Sequence, residues 1–263
     1  MIASVNGIVI GYDDVGGGLP VVYLHGFPHD RTLWASQLGA LTVPTRALAC
    51  DLRGFGESTG TATTVDDYAD DVAGLMRALE IKKAAVVGLS MGGYIAFALW
   101  RRAPDLVRAL VLSDTRAGAD NDAGRARRTE QIEFAKTNGS VALAAQLVDG
   151  MLGKTTRAQR PEIVERVRAM LERAPVPGVV GALTAMRDRP DSLATLATID
   201  VPALLVVGEE DVLTPVAESL TMHRGIAGSR MEVVAGAGHL TNAERPAAFN
   251  HLLSEFFASL AYM

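Results

Sequence analysis

Cysteine is almost absent from this chain. The single one, Cys50, excludes an intramolecular disulfide, and no zinc-ligand spacing surrounds it. Basic residues are in deficit: 25 Lys and Arg against 30 Asp and Glu give a net charge of -5. That balance is the wrong one for a nucleic-acid-binding face, so no nucleic-acid partner is expected. The amino terminus has neither a basic segment nor a long apolar run, and it carries Asp13 and Asp14, so it does not read as a secretory signal. Without disulfides or a signal, a cytoplasmic location is the expectation. The uncharged stretch Ala84 to Trp100 approaches the lower length limit for a membrane span, but Gly88, Ser90, Gly92 and Gly93 interrupt it. A buried strand, a tight turn and a buried helix account for it better, and no membrane partner is expected.

What is present is ordinary for a globular chain: 263 residues, 49% apolar and 21% charged. A chain of this length buries roughly 70–75% of its unfolded surface and needs no metal or disulfide staple. Short apolar runs alternate with helical patterns. Val21–Leu24, Arg46–Cys50, Ala84–Val87, Ala109–Leu112, Ala203–Val207 and Met231–Val234 read as strands buried on both faces. Asp66–Leu79 places Tyr68, Val72, Leu75, Met76 and Leu79 at helical spacing, with Thr64 or Asp66 as the cap. Tyr94–Arg102 and Pro246–Leu260 read as further helices. This alternation predicts an α/β fold with a mostly parallel central sheet and helices on both faces. The Asn6-Gly7 pair within Ile2–Tyr12 predicts a hairpin, hence an antiparallel start to the sheet.

The alternation breaks near Gly118 and resumes near Val201. Arg125–Asn138, Ser140–Met151, Pro161–Arg173 and Val179–Arg187 all read as helices, and Pro161 suits a first helical position. The expectation is a core formed by residues 1–117 and 199–263, with a helical lid over 118–198 inserted between strands.

Five short segments carry chemistry-bearing residues. Gly88-Leu89-Ser90-Met91-Gly92 has the G-x-S-x-G pattern, preceded by an apolar strand and followed by a helix. In that setting a serine at a sharp turn stands exposed above the sheet, and the small flanking residues let strand and helix approach. A serine hydroxyl needs a base. Of the five histidines, His239 lies in the glycine-rich Gly236-Ala237-Gly238-His239 after the last strand and is the candidate. The imidazole needs an acid to orient it. Asp211, in Gly208-Glu209-Glu210-Asp211, is the first choice, with Glu210 behind it and Asp114 as the second candidate. The backbone N–H groups of Met91 and Phe27 are the candidate oxyanion donors, because one follows the nucleophile and the other lies in His25-Gly26-Phe27-Pro28 after an early strand. His25 is read as a brace for that loop.

Together with Asp51-Leu52-Arg53-Gly54-Phe55-Gly56-Glu57-Ser58, these segments make the chain resemble the α/β-hydrolase superfamily over essentially its whole length. The order Ser90, Asp211, His239 is the order of that superfamily. Leu112-Ser113-Asp114-Thr115-Arg116 and Thr241-Asn242-Ala243-Glu244-Arg245-Pro246 make it most similar to small carboxylesterases and the 3-oxoadipate enol-lactonase group. The resemblance implies an ester or lactone hydrolase that works without metal or organic cofactor through an acyl-enzyme, with a small-molecule substrate. It also leaves room for carbon–carbon bond hydrolysis, for cofactor-free perhydrolysis, and for a ligand receptor that kept the triad. Phe27, Trp34, Met91, Tyr94, Met151, Leu152, Met186 and Leu213 are the expected pocket residues. Arg116, Arg125, Arg127 and Arg128 are cations that an acidic substrate would call for. Monomer and homodimer remain equally open.

Overall fold

The computed structural model describes residues 1–260, so the last three residues of the expected second core segment lie outside it. The chain opens on β1 (Ile2–Val5) and β2 (Ile8–Gly16), joined by the expected tight turn, in which Asn6 (φ 49°) and Gly7 (φ 77°) are both left-handed. Two successive positive φ angles are what an Asn-Gly hairpin supplies. β3 (Leu19–Leu24), β4 (Thr45–Cys50), β5 (Ala84–Leu89), β6 (Val107–Ser113), β7 (Ala203–Gly208) and β8 (Arg230–Val234) complete one eight-stranded sheet, in the order β1-β2-β4-β3-β5-β6-β7-β8. β2 runs antiparallel to β1 and β4, and every other pairing is parallel.

α1 (Val65–Ala78) links β4 to β5, and α2 (Met91–Arg102) links β5 to β6. Thr64 caps α1: its hydroxyl accepts from the Asp67 N–H while the Asp67 carboxylate accepts from the Thr64 N–H. Asp66 therefore sits in the first turn and is not the cap. Five helices fill the stretch between β6 and β7, all within 118–198: α3 (Asp122–Met151), α4 (Lys154–Gln159), α5 (Pro161–Glu172), α6 (Val176–Arg187) and α7 (Leu193–Leu196). α3 breaks at Gly139 (φ 79°), the boundary expected between its two halves. Its start is Asn121, whose side chain accepts from the Gly124 N–H, a few residues before the apolar pattern begins. α6 likewise begins earlier than its apolar pattern because Pro177 is tolerated in a first turn. α8 (Val216–Gly225), α9 (Thr241–Glu244) and α10 (Pro246–Ser259) complete the described chain.

The pleat explains the uninterrupted apolar strands. Val22 and Leu24 of β3 face the layer of α1 and α2, packing with Tyr68, Leu75, Ile95 and Phe97. Val21 and Tyr23 face the opposite layer, with Trp34, Phe249, Leu253 and Phe257. Both faces are buried, so neither position in the alternation can be polar. From β3 the chain steps outward to β4 and then returns past β3 to β5. That reversal opens a crevice at the carboxyl ends of β3 and β5, where ligands of such sheets bind. Among the described residues no helix is long and apolar enough to cross a membrane.

Candidate active site

Ser90 stands alone between β5 and α2, with φ 54° and ψ −112°. A non-glycine residue held there is strained, and the strain persists only because its surroundings over-determine it. The constraints are local. A Cβ at Gly88 would lie 2.4 Å from the Gly92 carbonyl oxygen, and one at Gly92 would lie 2.2 Å from that of Leu24. Only glycine lets α2 start this close to the sheet. The Ser90 N–H donates to the Ser113 carbonyl (2.9 Å), and the Thr115 hydroxyl donates to the Ser90 carbonyl (2.7 Å).

The structure brings three of the expected residues together. His239 Nε2 is 2.8 Å from Ser90 Oγ, and His239 Nδ1 is 2.8 Å from Asp211 Oδ2. The Asp211 carboxylate also accepts from the Leu213 and Thr214 N–H groups and from the Thr214 hydroxyl, at 2.6–3.0 Å. His239 and Asp211 are 4% and 5% exposed. Burial alone would lower the His239 pKa, but the Asp211 charge and hydrogen bond outweigh it and hold it above the ordinary histidine value. Burial would raise Asp211, and the paired imidazole and the Thr214 donors hold it below the usual carboxylate range. The histidine loop is clamped by Glu244, which accepts from the N–H groups of Gly238, Leu240 and, in the connection after α3, Gly153.

Glu210 turns away from His239 and binds the Thr155 hydroxyl and N–H. Asp114 does not pair with the imidazole either. Its carboxylate accepts from the Ser113 hydroxyl, the Gly208 N–H and the Thr241 hydroxyl. His25 braces its loop: Nδ1 donates to the Gly26 carbonyl and Nε2 accepts from the Leu52 N–H (3.0 Å). The Asp51 to Ser58 loop is tied together by Asp51, which accepts from the Arg31 and Glu57 N–H groups and pairs with the Arg31 guanidinium. Phe27 lines the crevice beside Ser90. Met91 opens α2, where an N–H has no intrahelical acceptor.

Ser90 and His239 open into a cavity of about 480 Å³. Phe27, Tyr94, Met151, Met186 and Leu213 line it. Two other residues read as pocket residues do not. Trp34 is fully buried on the opposite layer, in a short turn capped by Asp30, with its ring 5.1 Å from Tyr23 and 6.2 Å from Phe249. Leu152 packs into that same core and borders a separate depression with Lys154 and Glu210. Met91 is fully buried in the core, so what it can offer the site is its backbone. Arg116, Arg127 and Arg128 line the cavity, whereas Arg125 donates to the Asp120 carbonyl.

Sequence reasoning missed Asp120, Glu218 and Gln131 on the cavity wall, and Val212 at its exposed rim. It also missed Arg189, which stacks over the Tyr94 ring and pairs with Asp120. Asp120 precedes a capping asparagine and Arg189 follows a helix end, so no periodicity marks either one. A larger surface depression of about 640 Å³ beside Lys83, Trp100 and Arg101 lies at the other end of the strands and includes none of the three paired residues.

The serine on its strained turn, the paired histidine and carboxylate, and the sheet beneath them define a hydrolase-type site on an α/β scaffold. A family model described as the alpha/beta hydrolase fold matches residues 20–246, and the chain belongs to that family. It is similar to a thermophilic esterase from Thermogutta terrifontis, with 36% identity and a TM-score of 0.94 over 98% of this chain and 97% of that one. The enol-lactonase from Burkholderia xenovorans LB400 is 28% identical with a TM-score of 0.91, over 98% of this chain and all (100%) of that one. A 2-hydroxymuconate semialdehyde hydrolase from Pseudomonas sp. (strain CF600) is 32% identical, over 96% of this chain and 91% of the relative.

Proposed function

We propose that this chain hydrolyses carboxylic esters or lactones, with Ser90 as nucleophile, His239 as general base and acid, and Asp211 as the carboxylate that orients the imidazole. The observation that carries this reading is the pair of 2.8 Å contacts that join Ser90, His239 and Asp211 at the floor of a cavity. The similarity to an esterase and to an enol-lactonase supports the same substrate class.

His239 Nε2 takes the hydroxyl proton as Ser90 Oγ attacks the carbonyl carbon. The Asp211 carboxylate stabilises the imidazolium that forms. The Phe27 and Met91 N–H groups receive the developing oxyanion, and the N-terminus of α2 adds a favourable dipole. The imidazolium then protonates the leaving alkoxide, leaving an ester on Ser90. Water, deprotonated by the same nitrogen, cleaves that ester and releases the acid. The helices between β6 and β7 act as the lid: Met151 and Met186 supply the apolar wall that holds the acyl chain.

The test is steady-state hydrolysis of p-nitrophenyl esters from acetate to octanoate, together with simple lactones. Multiple turnover that Ser90→Ala abolishes supports the reading, and the chain-length preference sizes the pocket. Carbon–carbon bond hydrolysis is the second reading, favoured by the 32% identity to the semialdehyde hydrolase. A panel inactive on esters but active on a vinylogous diketone would establish it.

A further inference from the structure

Asp114 lies at the carboxyl end of β6 with φ 46°, a left-handed conformation uncommon outside glycine that aspartate enters more readily than most residues, and it is fully buried. Its neighbours are the three loops that carry the catalytic side chains. Oδ1 accepts from the Gly208 N–H (2.9 Å), three residues before Asp211. The same oxygen accepts from the Thr241 hydroxyl (2.8 Å), two residues after His239. Oδ2 accepts from the Ser113 hydroxyl (2.7 Å). The carbonyl of that same Ser113 accepts from the Ser90 N–H (2.9 Å). One buried carboxylate thus ties the acid loop to the histidine loop and, through its own backbone, reaches the nucleophile turn.

We infer that Asp114 is a positioning residue for the Ser90–His239–Asp211 site, setting the relative placement of its loops and adding a second negative charge facing the imidazole. This inference rests on the proposed role of those three residues. A carboxylate suits the task because two of its partners, Gly208 and Thr241, offer backbone N–H groups that can only donate, and the two hydroxyls can donate as well. An asparagine would set one amide NH₂ against those donors.

Charge enters through the same geometry. The titratable groups facing Asp114 are Asp211, from the loop after β7, and His239, from the loop after β8. His239 in turn faces Glu244 of α9 and His29 of the loop after β3. Burial, and then the Asp211 charge, push the Asp114 carboxyl up to about 7, so its charge changes near neutral pH. In its ionised form Asp114 favours the imidazolium of His239.

The test is an NMR titration of the His239 imidazole, assigned by its loss in His239→Gln, alongside pH profiles of kcat and KM. In Asp114→Asn the His239 midpoint moves down by roughly half to one pH unit, because a charge that favours the imidazolium is gone. The acid limb of kcat/KM moves with it. kcat falls about 10- to 100-fold while KM stays within about three-fold, since the interaction lost is one made through the catalytic groups. Thr241→Val keeps the carboxylate and removes one donor to it. Asp114 then holds its proton to higher pH, and the His239 midpoint moves the same way by less. If Asp114→Asn does not fold, Thr241→Val carries the test. A His239 midpoint that stays put in the folded variants overturns the inference, as does a kcat loss that tracks the drop in Tm alone. The imidazole titration needs no turnover, so it is judged separately from ester hydrolysis.

Discussion

The guanidinium of Arg189 lies 4.1 Å from the centroid of the Tyr94 ring, one helical turn past Ser90. It joins the helices between β6 and β7 to α2, the helix that begins directly after Ser90. Arg189 is 3% exposed, and its Nη1 is 3.0 Å from Asp120 Oδ1, while Arg128 Nε lies 3.2 Å from the other oxygen, Oδ2. Arg189→Ala leaves a buried carboxylate with one arginine in place of two and removes the stacking partner of Tyr94. Breaking a buried pair costs about 3–5 kcal/mol, and the remaining Arg128 places this loss near about 3 kcal/mol. Arg189→Lys recovers only part of it, because an ammonium cannot stack and bridge in the same plane. Denaturant unfolding of the two variants checks both values.

The pH dependence of kcat/KM follows from His239. The imidazole must be neutral to accept the Ser90 proton, and the structure holds its pKa above the ordinary 6.5. The acid limb therefore falls above that value, and activity is lost as pH drops through it. In Asp211→Asn the largest effect opposing burial is lost and only the weaker Asp114 and Glu244 charges remain against it, so the limb moves to lower pH while kcat falls by about 10⁴. A kcat/KM profile from pH 5 to 9 on both proteins decides the sign.

Gly92→Ala is expected to be poorly tolerated. The added methyl would lie 2.2 Å from the Leu24 carbonyl oxygen, which is backbone and cannot swing away. Strain of this kind costs about 1–3 kcal/mol or more, and the displaced α2 carries Ser90 with it. The expected result is a lower Tm together with a kcat loss.

Trp34 and Met151 separate core from pocket. Met151→Ala enlarges the cavity wall and shifts the preferred p-nitrophenyl ester toward longer acyl chains, whereas Trp34→Phe leaves that preference unchanged. Trp34→Phe instead lowers stability by about 1–2 kcal/mol, as loss of packing in a fully buried cluster does. Chain-length profiles of the two variants, with their melting curves, check the contrast.

Much of this architecture is legible in the chain itself. The elbow at Ser90 is local: strand, glycines and helix are contiguous, so their geometry follows from neighbouring residues. Asp211 and His239 are apart in sequence, yet they follow β7 and β8, neighbouring parallel strands of the sheet, which delivers both to the same edge. The pocket wall was less legible, because which side chains of α3 and α6 face Ser90 depends on how those helices settle over the sheet. Trp34 shows the limit. It follows the His25-Gly26-Phe27-Pro28 segment closely in sequence, but the turn begun at Asp30 directs its ring to the opposite layer. Arg189 and Asp120 meet across a gap that no helical or strand period spans.

The central claim is that Ser90 is the nucleophile and His239 activates it. Labelling with a fluorophosphonate, read by intact mass and by the mass of the Ser90 peptide, tests it most directly. The account predicts one adduct per chain, located on Ser90, absent in Ser90→Ala and formed at least about 10²-fold more slowly in His239→Ala. An unlabelled, folded wild-type chain, or an adduct that persists in Ser90→Ala, would contradict it.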